Sequence, residues 1–144
     1  MTPSNRIESG FEDIKINVKL KLSALWVAVM FCYVYGDYIE VYVPGVISNA
    51  LEVSPDDASL QAKFFAVALL MSVPSVMIFL TLALKPAINR WLNIIIPALF
   101  IILLVGLNLE TIWGFYLYLT GLEIALSALT IWYAWQWPKT QVSE

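Results

Sequence analysis

Histidine is absent from all 144 residues. That absence removes the usual ligand of haem, of most zinc sites and of di-iron bundles, and the usual base beside a serine or cysteine nucleophile. Cysteine occurs once, as Cys32 within an apolar run, so one chain can form neither an internal disulfide nor a relay between paired thiols. A lone cysteine in such a run reads as a small buried apolar side chain. Charge is scarce: 13% of residues are charged against 60% hydrophobic and 14% aromatic, whereas a soluble domain carries roughly a quarter. The net charge of -3 is spread over several segments. No basic patch marks a nucleic-acid partner, and that class is set aside. No internal repeat or low-complexity segment is evident, and the halves do not look like the inverted copies of larger transporters.

What the chain has instead is apolar length. Predominantly apolar stretches cover residues 22–43, 61–84, 88–107 and 111–135. Each reaches or exceeds the ~20 residues needed to cross a ~30 Å hydrocarbon layer as a helix. The expected fold is an all-α integral membrane protein, a single transmembrane domain over residues 22–137. The connections at residues 85–87 and 108–110 are too short to pass a neighbour, so the last three spans should be sequential antiparallel neighbours and the bundle should run up-down-up-down. Residues 1–21 form a polar lead and residues 138–144 a short tail. The lead lacks the basic start of a secretory signal, so it is expected to remain attached. Residues 14–22 alternate polar and apolar, yet a lone strand at a membrane has no partner for its backbone, and an extended or helical interfacial lead-in is expected.

The longest loop, residues 44–60, places Val46, Ile47, Ala50 and Leu51 on one helical face that suits the interface. Ser54, Pro55, Asp56 and Asp57 then read as a helix start, with Ser54 as cap and the acids near the positive end of the dipole. Arg6, Lys15, Lys19, Lys21, Lys85, Arg90 and Lys139 fall on one side and Lys63 alone on the other. Both termini should therefore be cytoplasmic in a cell membrane. Trp91, Trp132, Trp135 and Trp137 would form the inner aromatic belt, and Tyr38, Tyr42 and Trp113 the outer one.

The polar groups inside these spans are the functional candidates. On the last span Tyr116, Thr120, Glu123, Ser127 and Thr130 recur at helical spacing and make one polar stripe. Glu123 lies ~18 Å below the outer interface, where a carboxylate is costly unless paired or protonated. It is therefore read as facing the bundle or a subunit interface, either as a proton- or cation-binding group or as a protonated acid hydrogen-bonded to a neighbour such as Ser72 or Cys32. On the first span Met30, Tyr33, Asp37 and Glu40 share a face, and Lys63 is the base at the right height to pair with Asp37 or Glu40. Asn89, Arg90, Trp91 and Asn93 open the third span as a candidate inner-interface anchor, with Arg90 suited to a lipid phosphate. Pro74 and Pro97 fall inside spans, each removing a backbone hydrogen bond one turn earlier.

Lys21-Leu22-Ser23-Ala24-Leu25-Trp26, Met30-Phe31-Cys32-Tyr33-Val34-Tyr35-Gly36-Asp37, Pro74-Ser75-Val76-Met77, Asn89-Arg90-Trp91-Leu92-Asn93-Ile94 and Trp132-Tyr133-Ala134-Trp135 resemble the small bacterial four-span membrane proteins grouped as the family of unknown function DUF6326. The resemblance covers nearly the whole chain after the first dozen residues. It implies the four-span architecture and carries no activity. The residues themselves suggest a bundle that binds or moves protons or a small solute through Glu123 and Asp37. The alternative is a non-transporting accessory protein whose buried polar groups fix helix packing. An enzyme is not expected, because the carboxylates would need a metal or quinone that nothing in the sequence specifies, and no cofactor is expected. The lipid bilayer is the expected partner, with self-association or another membrane protein beside it.

Overall fold

The computed structural model describes residues 15–52, 58–107 and 113–138. Helix α1 spans Val18–Glu40, α2 Val46–Glu52, α3 Ala58–Ala83, α4 Pro86–Leu107 and α5 Gly114–Trp135. Of these, α1, α3, α4 and α5 are long and apolar enough to cross a membrane, as the sequence led us to expect. The expected Ser54 cap, the connection at residues 108–110, the first fourteen residues and the tail beyond Pro138 lie outside the described residues.

Helix α1 starts four residues before the apolar run. Asn17 caps it, its side chain accepting the Lys19 N–H at 2.9 Å, which satisfies an otherwise orphaned donor. It ends three residues earlier than the apolar run does. Tyr42 N and Val43 N donate to Ile39 O and Glu40 O, tightening the last turn. Gly45 then turns the chain with φ 95, a conformation that favours glycine. Helix α2 follows with Ile47 and Leu51 exposed along it. At 26 residues, α3 is ~39 Å long and outreaches a ~30 Å hydrocarbon layer. Pro86 opens α4 at the position where a missing N–H costs nothing.

The long helices alternate in direction. One end of the bundle gathers Lys19, Lys21, Lys85 and Arg90, and the opposite end holds Asp37 and Glu40; we call them the basic and acidic ends. At the basic end two cations finish helices that terminate there. Lys19 Nζ donates to Leu82 O at 3.0 Å and Leu84 O at 2.7 Å, beyond the last turn of α3. The Arg90 guanidinium stacks over the Trp135 ring at 5.7 Å and reaches Trp135 O at 3.4 Å. Both place positive charge at the negative pole of a helix dipole. Replacing Lys19 with methionine keeps the aliphatic stem and is expected to lower stability by about 1 kcal/mol. Urea or SDS titration of the purified chain measures it.

Helix α1 is the hub, packing extensively on α3 and on α5, and α5 packs on α4. The α3 and α4 backbones approach each other at few places, although the tight connection predicts neighbours. A short turn ties only the basic ends of the two helices. A cavity separates them toward the acidic end.

The burial pattern is that of a protein solvated by lipid. Phe64, Phe65, Phe79, Ile102 and Tyr118 are all more than 60% exposed, while Ser23, Thr81, Asn89, Asn93, Thr120, Glu123, Ser127 and Thr130 are buried. In hydrocarbon, apolar burial gives helices little reason to associate, so close packing and interhelical hydrogen bonds take over. Val29, Tyr33, Phe100 and Leu104 form the apolar centre between α1 and α4. Pro74 and Pro97 are both fully buried within α3 and α4.

Candidate functional site

On α5 the stripe read from the sequence faces inward: Thr120, Glu123, Ser127 and Thr130 are all buried, and Ala134 continues the line to the basic end. Glu123 sits ~14 Å along the helix from Gly114 and ~18 Å from Trp135, close to mid-depth. Only 5% of it is exposed. Among the described residues no hydrogen bond or ion pair reaches its carboxylate. Instead it lines a cavity of about 280 Å³ in the acidic half of the bundle, walled by all four long helices.

Tyr33 and Asp37 from α1 and Tyr116 and Thr120 from α5 share that cavity. The remainder of the wall is hydrocarbon, chiefly Leu70 and Met71 of α3 and Phe100 and Leu104 of α4. Pro74, with no N–H, leaves the Leu70 carbonyl without its usual helical donor. Tyr33 is only 7% exposed, its ring 6.0 Å from that of Phe100, and its hydroxyl is buried with no hydrogen-bond partner. An orphaned buried hydroxyl is unusual in a native interior and calls for a bound partner or water. Asp37 is exposed and marks the cavity's mouth.

Several expected pairings take another form. Glu40 accepts the Tyr116 hydroxyl at 2.6 Å, which ties the end of α1 to the start of α5. Among the described residues no base lies within ion-pair distance of Asp37 or Glu40. Lys63 is exposed on α3, within residues 61–69, which are exposed on every side of the helix; α3 is buried only further along, at Pro74, Met77 and Thr81. Ser72 also turns outward and donates to Leu69 O at 2.7 Å, so it is no partner for Glu123. Cys32 is buried with a free thiol. Ser127 lies one turn below Glu123, outside the cavity wall. Tyr116→Phe removes a short bond to a carboxylate and is expected to cost about 1–2 kcal/mol; thermal unfolding in detergent reports it.

The segment expected to anchor the inner interface divides in two. Trp91 stays exposed and Arg90 half-buried, whereas Asn89 and Asn93 are 0% exposed. Asn93 Oδ1 accepts Trp26 Nε1–H at 2.7 Å, and Asn93 Nδ2 donates to Asn89 Oδ1 at 2.8 Å and to Asn89 O at 2.9 Å. Asn89 Nδ2 in turn donates to Thr81 O. This network joins α1, α3 and α4, with Trp26 as its member on α1. A four-residue spacing puts Asn89 and Asn93 on one face and Arg90 and Trp91 off it, so this division was available in the sequence. Thr81 and Gly36, which also lines the cavity, gave no such signal.

The family of unknown function DUF6326 matches residues 11–144. The chain belongs to this family. No curated protein and no solved structure matches it. Within a DUF6326 protein, then, the geometry itself must carry the functional reading: one shielded carboxylate, one orphaned phenol and an acidic mouth around a largely apolar hollow.

Proposed function

We propose that this DUF6326 protein binds a proton or small solute at Glu123 and moves it between the mouth at Asp37 and the interior of the bundle, without catalysing a reaction. The observation that carries this reading is the Glu123 carboxylate, buried near mid-depth and aimed into a cavity with no protein partner. Intramembrane acids are costly and rare, and they typically mark ion or proton paths. The distribution of Lys and Arg supports a cytoplasmic position for the basic end in a bacterial cell membrane. The test is flux: purified protein in liposomes carrying a pH-sensitive dye should conduct protons or a co-transported solute, and Glu123→Gln should abolish it. Flux equal in wild type and variant defeats the proposal.

A second reading has its own observation. The Trp26, Asn93, Asn89 and Thr81 network fixes three helices in register, as an accessory subunit that presents a rigid face to another membrane protein would require. Under that reading Asn93 substitutions abolish assembly with a partner, and Glu123→Gln leaves every flux assay flat.

A further inference from the structure

We infer that the cavity in the acidic half is a receptor for a small lipophilic amine, with its ammonium head on Glu123 and its tail among the apolar walls. This rests on the proposed role of Glu123 in solute binding and names the class of solute.

Size excludes a proton as the sole occupant. A proton needs no hollow, whereas about 280 Å³ is close to twice the ~150 Å³ that admits a benzene ring. Charge sets the sign of the ligand. Among the described residues the wall contains Glu123 and Asp37 and no lysine or arginine, so a cation is attracted and an anion repelled. The donor set argues against a metal: among the described residues no three His, Cys, Asp or Glu side chains come together, whereas a hard divalent ion takes six or more oxygens.

The polar atoms fit an ammonium group. Its N–H groups need acceptors, and the cavity wall carries the acceptors Glu123 and Thr120, with Tyr33, whose buried hydroxyl has no partner, in the same wall. The rings of Tyr33, Phe100 and Tyr116 offer π faces to a cation shielded from water. Leu70, Met71 and Leu104 are left for a hydrocarbon tail. A ligand of this kind would pair the buried Glu123 carboxylate, which no hydrogen bond or ion pair reaches among the described residues.

Calorimetric titration of the full chain in phosphatidylcholine nanodiscs, against empty nanodiscs, tests this with three probes of similar size: phenethylamine, phenethyl alcohol and phenylacetate. The expected result is saturable one-to-one binding of the amine, at least about tenfold tighter than the alcohol, with no binding of the acid. Leu103→Trp, which fills the cavity from α4, should abolish amine binding, and Glu123→Gln should weaken it at least about tenfold. Equal affinity for amine and alcohol in the wild type overturns the inference without any variant. So does amine binding that Leu103→Trp leaves intact, which is partition into lipid. Proton flux measured on the same preparation separates the two proposals. Glu123-dependent flux without amine binding overturns the ligand class alone, and amine binding without flux overturns transport alone.

Discussion

Asn93→Leu is expected to destabilise the bundle by about 2–4 kcal/mol and to remove most of the monodisperse protein from a detergent extract. The leucine keeps the branching of the asparagine but is larger, so some overpacking adds to a chiefly polar effect. It strips the acceptor from Trp26 Nε1 and the donor from Asn89 Oδ1, both on fully buried side chains. Each orphaned group costs about 1–3 kcal/mol. In a membrane the unfolded reference also finds partners for such groups, which holds the sum toward the lower part of that range. A double-mutant cycle isolates the contact: with Trp26→Phe already in place, Asn93→Leu should cost at least about 1 kcal/mol less, because its principal partner is gone. A variant that unfolds like the wild type would mean that apolar packing alone sets the register of α1, α3 and α4.

Glu123→Gln is expected to lower flux roughly a hundredfold, the scale on which removal of a positioned proton-transfer group acts, while the protein still folds. Glutamine preserves shape and an acceptor and removes the titratable proton. The neighbouring acids rank below it for structural reasons. Asp37→Asn at the exposed mouth should lower flux several-fold, since it only raises the local concentration of cations and is screened by salt. Glu40→Gln should do least, because an amide oxygen still accepts the Tyr116 hydroxyl. The order Glu123, Asp37, Glu40 under one flux assay is the outcome that identifies the path. Three equal effects would point to general loss of structure instead.

The apolar runs sufficed for the architecture. A residue count against bilayer thickness places four membrane-length helices, and the structure shifts only their ends: Asn17 draws α1 back to Val18, and the turn at Gly45 stops it at Glu40. The inward stripe on α5 was legible for the same reason. Period and polarity are local properties of one helix, and a carboxylate at mid-depth has no stable place but the interior.

Which helix each stripe meets is not a local property. Lys63 shares a helical face with Pro74 and Thr81, yet that face is packed only further along α3, and residues 61–69 stay exposed on every side. The short connection between α3 and α4 predicted neighbours, but it constrains one end of the pair, and the cavity between them arises as α3 leans on α1 and α4 on α5. The sequence by itself determined that four stretches are long and apolar enough to cross a membrane and that Glu123 belongs on an inward face, because hydropathy and helical period are written along the chain. Only the tertiary structure decided that Tyr33 and Asp37 share a hollow with Glu123 and that Asn93 finds Trp26, because such meetings depend on the rotation of one helix against another.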